Sequence, residues 1–158
     1  MNNSIEIQKA GNEDIDQIRL LFFETINHVN TKDYNSSQIE IWSAGYNDIP
    51  KWRKKLSEQY FIVAKINTLV VGFASIAPDG CLDYMYVHKN HQREGIATHL
   101  LEAIEKFVLE NGLLEIWSDV SITAKPFFLR KGFNIIKTYS KEVNGIFFEN
   151  TIMTKSYQ

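Results

Sequence analysis

The chain has 158 residues, 44% of them hydrophobic and 23% charged, with a net charge of −2. That balance suits one ordinary domain over 1–158 and excludes a global attraction to nucleic acid or to an anionic membrane. A single cysteine excludes an intrachain disulfide and a cysteine-based metal cluster.

In chain order, residues 4–8 read as a short strand. Asn12 is a candidate cap for a helix over 13–28, in which Ile15, Ile18, Leu20, Leu21 and Phe22 form a broad apolar stripe. Residues 30–37 are polar and turn-like. A second helix is expected over 38–44, ended by Gly45, and Pro50 opens a third that reaches about residue 59. Residues 60–65 and 69–76 return on each other through Asn67-Thr68 as a hairpin. Pro78-Asp79-Gly80 then turns the chain into a strand over 81–88.

From Gly95 onward, Ile96, Ala97, Leu100, Leu101, Ile104, Phe107 and Val108 recur at helical spacing, and Asn111-Gly112 supplies the stop. Residues 113–118 read as a buried strand. Ser121 or Thr123 caps a further helix, with Pro126 in its first turn and Gly132 at its end. Residues 133–142 and 146–154 form a last hairpin around Asn144-Gly145, a strong turn signal. The order β-α-α-α-β-β-β-α-β-α-β-β implies a mixed α/β fold, a sheet with helices packed on it.

The junction Gln92-Arg93-Glu94-Gly95-Ile96-Ala97-Thr98, between a strand and an amphipathic helix, is suited to an anionic phosphate. Backbone N–H groups of a first helical turn have no intrahelical partner, and the helix dipole adds partial positive charge there. Gly95 lets the backbone approach a ligand, and Arg93 adds a fork of donors.

This junction resembles the acetyl-CoA-binding motif of the GNAT family of N-acetyltransferases, [Gln/Arg]-x-x-Gly-x-[Gly/Ala] after a strand. Residues 124–133, AKPFFLRKGF, are similar to the family's Ala-x-x-Phe-Tyr-x-x-x-Gly-Phe helix, and Trp117 lies near the end of the strand before it. The resemblance covers about residues 3–155 in matching order. It implies the family's acyl-CoA N-acyltransferase fold, a mostly antiparallel mixed sheet whose strands at 81–88 and 113–118 splay apart to admit the pantetheine arm of acetyl-CoA.

The resemblance also implies site residues. Met85, Tyr86 and Val87 would make main-chain contacts to acetyl and pantetheine, with the Val87 N–H as oxyanion donor. Gln92, Arg93, Glu94, Gly95, Ile96, Ala97 and Thr98 would cradle the pyrophosphate, and Phe127 and Phe128 would pack beside pantetheine and sulfur. The nearest position to the family's basic carboxylate falls on Cys81. Asp83 lies two residues along, expected on the same strand face, and is read either as base or ammonium anchor or as a structural residue.

Phe128 stands where the family places a tyrosine that protonates the leaving thiolate, so Tyr86 and Tyr139 are considered as substitutes, and Tyr86 with Asp83 is the catalytic assignment. Trp42, Ser118 and Asp119 are candidates to meet an acceptor amine. The histidines show no recognised ligand spacing, so no metal is expected. The expected activity is acetyl transfer from acetyl-CoA to a primary amine of a small molecule or protein. The alternative is a catalytically weak acetyl-CoA-binding sensor. A cytoplasmic monomer or homodimer is expected, for residues 1–4 lack a leader's basic and apolar regions and no apolar run approaches membrane-spanning length.

Overall fold

A computed structural model describes residues 4–157; the leader reading on residues 1–3 lies outside them. Two antiparallel sheets make up the frame. The first holds β1 (Ile5–Lys9), β2 (Tyr60–Ile66), β3 (Leu69–Ile76) and β4 (Leu82–Val87) in that order. The second holds β5 (Glu115–Ser121), β7 (Ile146–Ser156) and β6 (Asn134–Val143), with β7 in the middle. The helices are α1 (Ile15–His28), α2 (Ser36–Ser43), α3 (Ile49–Glu58), α4 (Ile96–Glu110) and α5 (Lys125–Arg130).

The near-continuous apolar runs of β2 and β3 arise because both faces of this sheet are covered. Ile62, Ala64, Val71 and Ala74 pack with Leu100, Leu101, Ile104 and Val108 of α4. Phe61, Val63, Val70 and Phe73 pack on the opposite face with Ile18, Leu21 and Phe22 of α1. Full burial of one such side chain is worth roughly 1.5–3 kcal/mol. The core on the α4 side also takes in Ile116, Val120, Phe133 and Met153, so it runs from the first sheet into the second.

Gly72 brings α4 down onto β3. A Cβ there would lie 2.8 Å from Ile96 Cγ2 and 3.1 Å from Leu100 Cδ1. Among the described residues no helix is long and apolar enough to cross a membrane.

Several local expectations change. Asn12 does not cap α1. A single 3-10 turn (Asn12–Asp14) precedes it, and the buried Asp14 accepts the Gly11 N–H at 2.9 Å and pairs with Lys65 at 2.8 Å. Leu20 is 48% exposed, so the stripe of α1 is narrower than its sequence suggests. The α2 helix starts earlier than residue 38, because Asn35 and Gln38 exchange side-chain and backbone hydrogen bonds as a capping box. At the α5 start, Ser121 Oγ accepts the Ala124 N–H at 3.2 Å, whereas the Thr123 hydroxyl goes to Asp33.

Candidate active site

The two sheets meet at one point. Cys81 and Trp117 form a parallel bridge, Trp117 N–H donates to the Gly80 carbonyl, and Ser118 Oγ donates to the Leu82 carbonyl at 2.8 Å. Beyond this seam β4 and β5 are not paired as strands. The fork opens into a cavity of about 1170 Å³ that reaches the N-terminus of α4.

The β4 strand presents its backbone to that fork. His88 N–H donates to Val71, and Val87 lies opposite Gly72 with Met85 opposite Ala74. Antiparallel alternation therefore turns the Met85 and Val87 amides away from β3, toward the gap. The Val87 carbonyl accepts from Thr25 Oγ1 at 2.9 Å and from Gln92 Nε2 at 2.8 Å, which fixes the strand end. The Gln92 side chain thus ties its own loop to β4.

At the start of α4, Arg93 and Gly95 take positive φ values of 60° and 81°. His99 N–H makes the first intrahelical bond, to Gly95 O, so the amides of Ile96, Ala97 and Thr98 lie ahead of the helical ladder. A Cβ on Gly95 would meet only the His99 ring, at 3.8 Å, so φ is what demands glycine here. Arg93, Gly95, Ile96, Ala97 and Thr98 line the cavity. Glu94 does not, and its carboxylate turns to His91 Nδ1 at 3.0 Å. Any contribution of Glu94 to a bound phosphate would come from its backbone. This turn fits a pyrophosphate: open amides, a dipole and one arginine border the cavity here.

The candidate base has a different setting from the one expected. The β3–β4 register slips at Asp83, since Ser75 faces Tyr84 while Ile76 faces Leu82. Asp83 is the extra residue of a β-bulge, so simple alternation with Cys81 does not apply, and Leu82 and Tyr84 pack in opposite cores. The bulge aims the carboxylate at Lys55 Nζ, 2.7 Å away, and Gln59 Nε2, 2.8 Å away, while the residue still lines the cavity. Cys81 lies nearby. Burial, followed by the charges of Asp83 and Asp79, pushes its thiol up to about 12, so it stays protonated at neutral pH.

Tyr86 lines the cavity, and its hydroxyl accepts from Trp42 Nε1 at 3.1 Å. Burial raises its pKa above the ordinary tyrosine value. Trp42 lines the same space and meets Tyr34 edge to face at 5.1 Å. Phe128 is buried, packed edge-on to Phe133 and Phe127 with centroids 5.0 and 5.4 Å apart, and both Phe127 and Phe128 line the cavity.

Ser118 is buried at the seam with its hydroxyl engaged by Leu82, which gives it a structural position. Asp119 faces the cavity and is held from behind by Tyr139 Oη at 2.6 Å and Asn150 Nδ2 at 3.0 Å. Tyr139 lies outside the lining, and burial with the adjacent Asp119 pushes its hydroxyl up to about 12. Sequence reasoning missed Lys55, Gln59, Tyr139 and Asn150 as partners of these carboxylates, since none carries a local signal. Among the described residues, no group of three His, Cys, Asp or Glu side chains could hold a metal ion.

Residues 30–155 match the acetyltransferase (GNAT) domain family. Over 151 residues the chain is 32% identical to the uncharacterized N-acetyltransferase YafP of Escherichia coli K12, covering 96% of this chain and 95% of that one. A crystal structure of a GCN5-related N-acetyltransferase from Rhodopseudomonas palustris is 30% identical and superposes with a TM-score of 0.93 over 99% of both chains. The PaiA N-acetyltransferase from Thermoplasma acidophilum, solved in complex with coenzyme A, shares the fold at a TM-score of 0.81 and 22% identity, over 98% of this chain and 99% of that one.

Proposed function

This chain belongs to the GNAT acetyltransferase family, and from that premise we propose that it moves the acetyl group of acetyl-CoA to a primary amine by direct attack on the thioester. The observation that carries this reading is the fork between β4 and β5, which runs continuously onto the open first turn of α4. Acetyl-CoA, when bound, supplies an activated acyl carbon on a thiol leaving group.

The chain's own residues do the rest. Arg93 and the amides of Gly95 to Thr98 hold the pyrophosphate. Met85 and Val87 align the arm along β4, and the Val87 N–H takes up negative charge growing on the carbonyl oxygen. Asp83 removes one proton from the acceptor ammonium, directly or through water, and frees the nitrogen lone pair. The C–N bond forms as the C–S bond breaks, and the acylated nitrogen then sheds its second proton to give the neutral amide. Phe128 offers no proton, so the departing thiolate takes the proton shed by the acylated nitrogen, relayed by water or across the Tyr86 hydroxyl; with a reference thiol pKa of about 8.5 it can leave without full protonation.

Thiol release from acetyl-CoA in the presence of amines tests this. Gly95→Asp puts an anion and a strained φ where phosphate belongs, and is expected to weaken acetyl-CoA binding at least a hundredfold by titration. Unchanged affinity would remove the proposed site.

A further inference from the structure

Two carboxylates, Asp83 and Asp119, line the cavity near the seam of the fork. The Cys81–Trp117 bridge sets a parallel register, and Ser118 Oγ on the Leu82 carbonyl extends it by one residue. Asp83 and Asp119 are the next residues on the two strands, and both line the cavity, with Asp83 turned by the bulge toward Lys55 and Gln59. Each already has a cation, Lys55 at 2.7 Å from Asp83 and Lys141 at 3.9 Å from Asp119. One incoming ammonium would find two carboxylates. Lys32, Lys51 and Lys141 also line the cavity, so a second ammonium on the same molecule would be repelled there.

The same cavity has an aromatic wall. Tyr34, Trp42 and Phe148 line it, with Tyr34 5.1 Å from Trp42 and 6.1 Å from Phe148 between centroids. The segment before α2 is tied to the β5–α5 connection by Tyr34 Oη accepting the Ile122 N–H at 2.8 Å and by Thr123 Oγ1 donating to Asp33 at 2.8 Å. Gln38 Nε2 reaches the Phe147 carbonyl at 2.8 Å and ties α2 to β7. These ties hold the segment that carries Tyr34 and Trp42 in place.

We propose that the acceptor is a small primary amine with one positive charge and an aromatic carrier, its ammonium received between Asp83 and Asp119 and its ring laid against Trp42. This assignment rests on the acetyltransferase reading above. It places the acceptor opposite the acyl carbon, with the proton leaving toward Asp83 and the ring filling apolar space that water would otherwise occupy.

Thiol release by the intact protein with phenethylamine, propylamine, spermidine and a lysine-containing peptide tests the assignment. Phenethylamine is expected to give a kcat/KM at least tenfold above each of the others. Trp42→Leu is expected to cut the phenethylamine-to-propylamine ratio at least tenfold, while Trp42→Phe, which keeps a ring, holds that ratio within threefold of wild type. Far-UV circular dichroism checks that each variant folds. Preference for spermidine or the peptide, or a ratio untouched by Trp42→Leu, would overturn the assignment while leaving acetyl transfer standing. Absence of thiol release with all four amines would overturn both.

Discussion

Asp83 receives two donors on one carboxylate oxygen, and that arrangement has two consequences for an acid–base role. Lys55 and Gln59 fix the carboxylate's direction, and Lys55 supplies countercharge beside the cavity. Asp83→Asn keeps the shape and removes the basic oxygen. It is expected to lower kcat by about 10²-fold or more, with acetyl-CoA affinity little changed; a normal kcat would reduce Asp83 to a structural ion-pair partner of α3. At Phe128 the side chain is 2% exposed and packed by two other rings. Phe128→Tyr is expected to fold, to lose roughly 1–3 kcal/mol if its hydroxyl finds no partner, and to raise kcat. Paired melting and turnover measurements decide this, and a variant with lower kcat would show that ring packing outweighs proton supply.

At the level of elements, the position of α4 relative to β3 and β4 sets the donor site, and Gly72 controls it. Gly72→Ala would press a methyl group against Ile96, Leu100 and the Tyr86 carbonyl, the last at 3.2 Å. The expected cost is about 1–3 kcal/mol, with weaker acetyl-CoA binding because the first turn of α4 is lifted. A lowered melting temperature with unaltered affinity would uncouple the two. The helix α4 and its stop were legible because the stripe from Ile96 to Val108 and the turn at Asn111-Gly112 are local signals. Asn144-Gly145 was legible for the same reason, and both residues take positive φ, 49° and 79°. The bulge at Asp83 was not, since it exists only in register with β3. The ties Tyr34–Ile122 and Gln38–Phe147 span 88 and 109 positions, and no local pattern encodes such pairs. Hence the phosphate turn could be read from one contiguous stretch, while the surroundings of the acceptor could not.

Across the whole molecule, two sheets share little backbone pairing yet one apolar core. Ile116, Val120 and Met153 of the second sheet pack in the same cluster as Ile62, Leu100 and Ile104. We therefore propose a single domain, and expect urea unfolding followed by far-UV circular dichroism and by tryptophan fluorescence to give coincident transitions. Separate midpoints for the two probes would divide the chain into two folding units.

The seam at Cys81, Trp117 and Ser118 also has a mechanical meaning. Two stiff strands joined at one end form a pair of tweezers, and the width at the tips depends on the pivot. A larger side chain at Ser118 would be felt less as a local clash than as a change of angle, magnified along β4 and β5 toward Val87. Tolerance for acyl groups longer than acetyl is therefore expected to be set at the pivot as much as at the walls of the cavity.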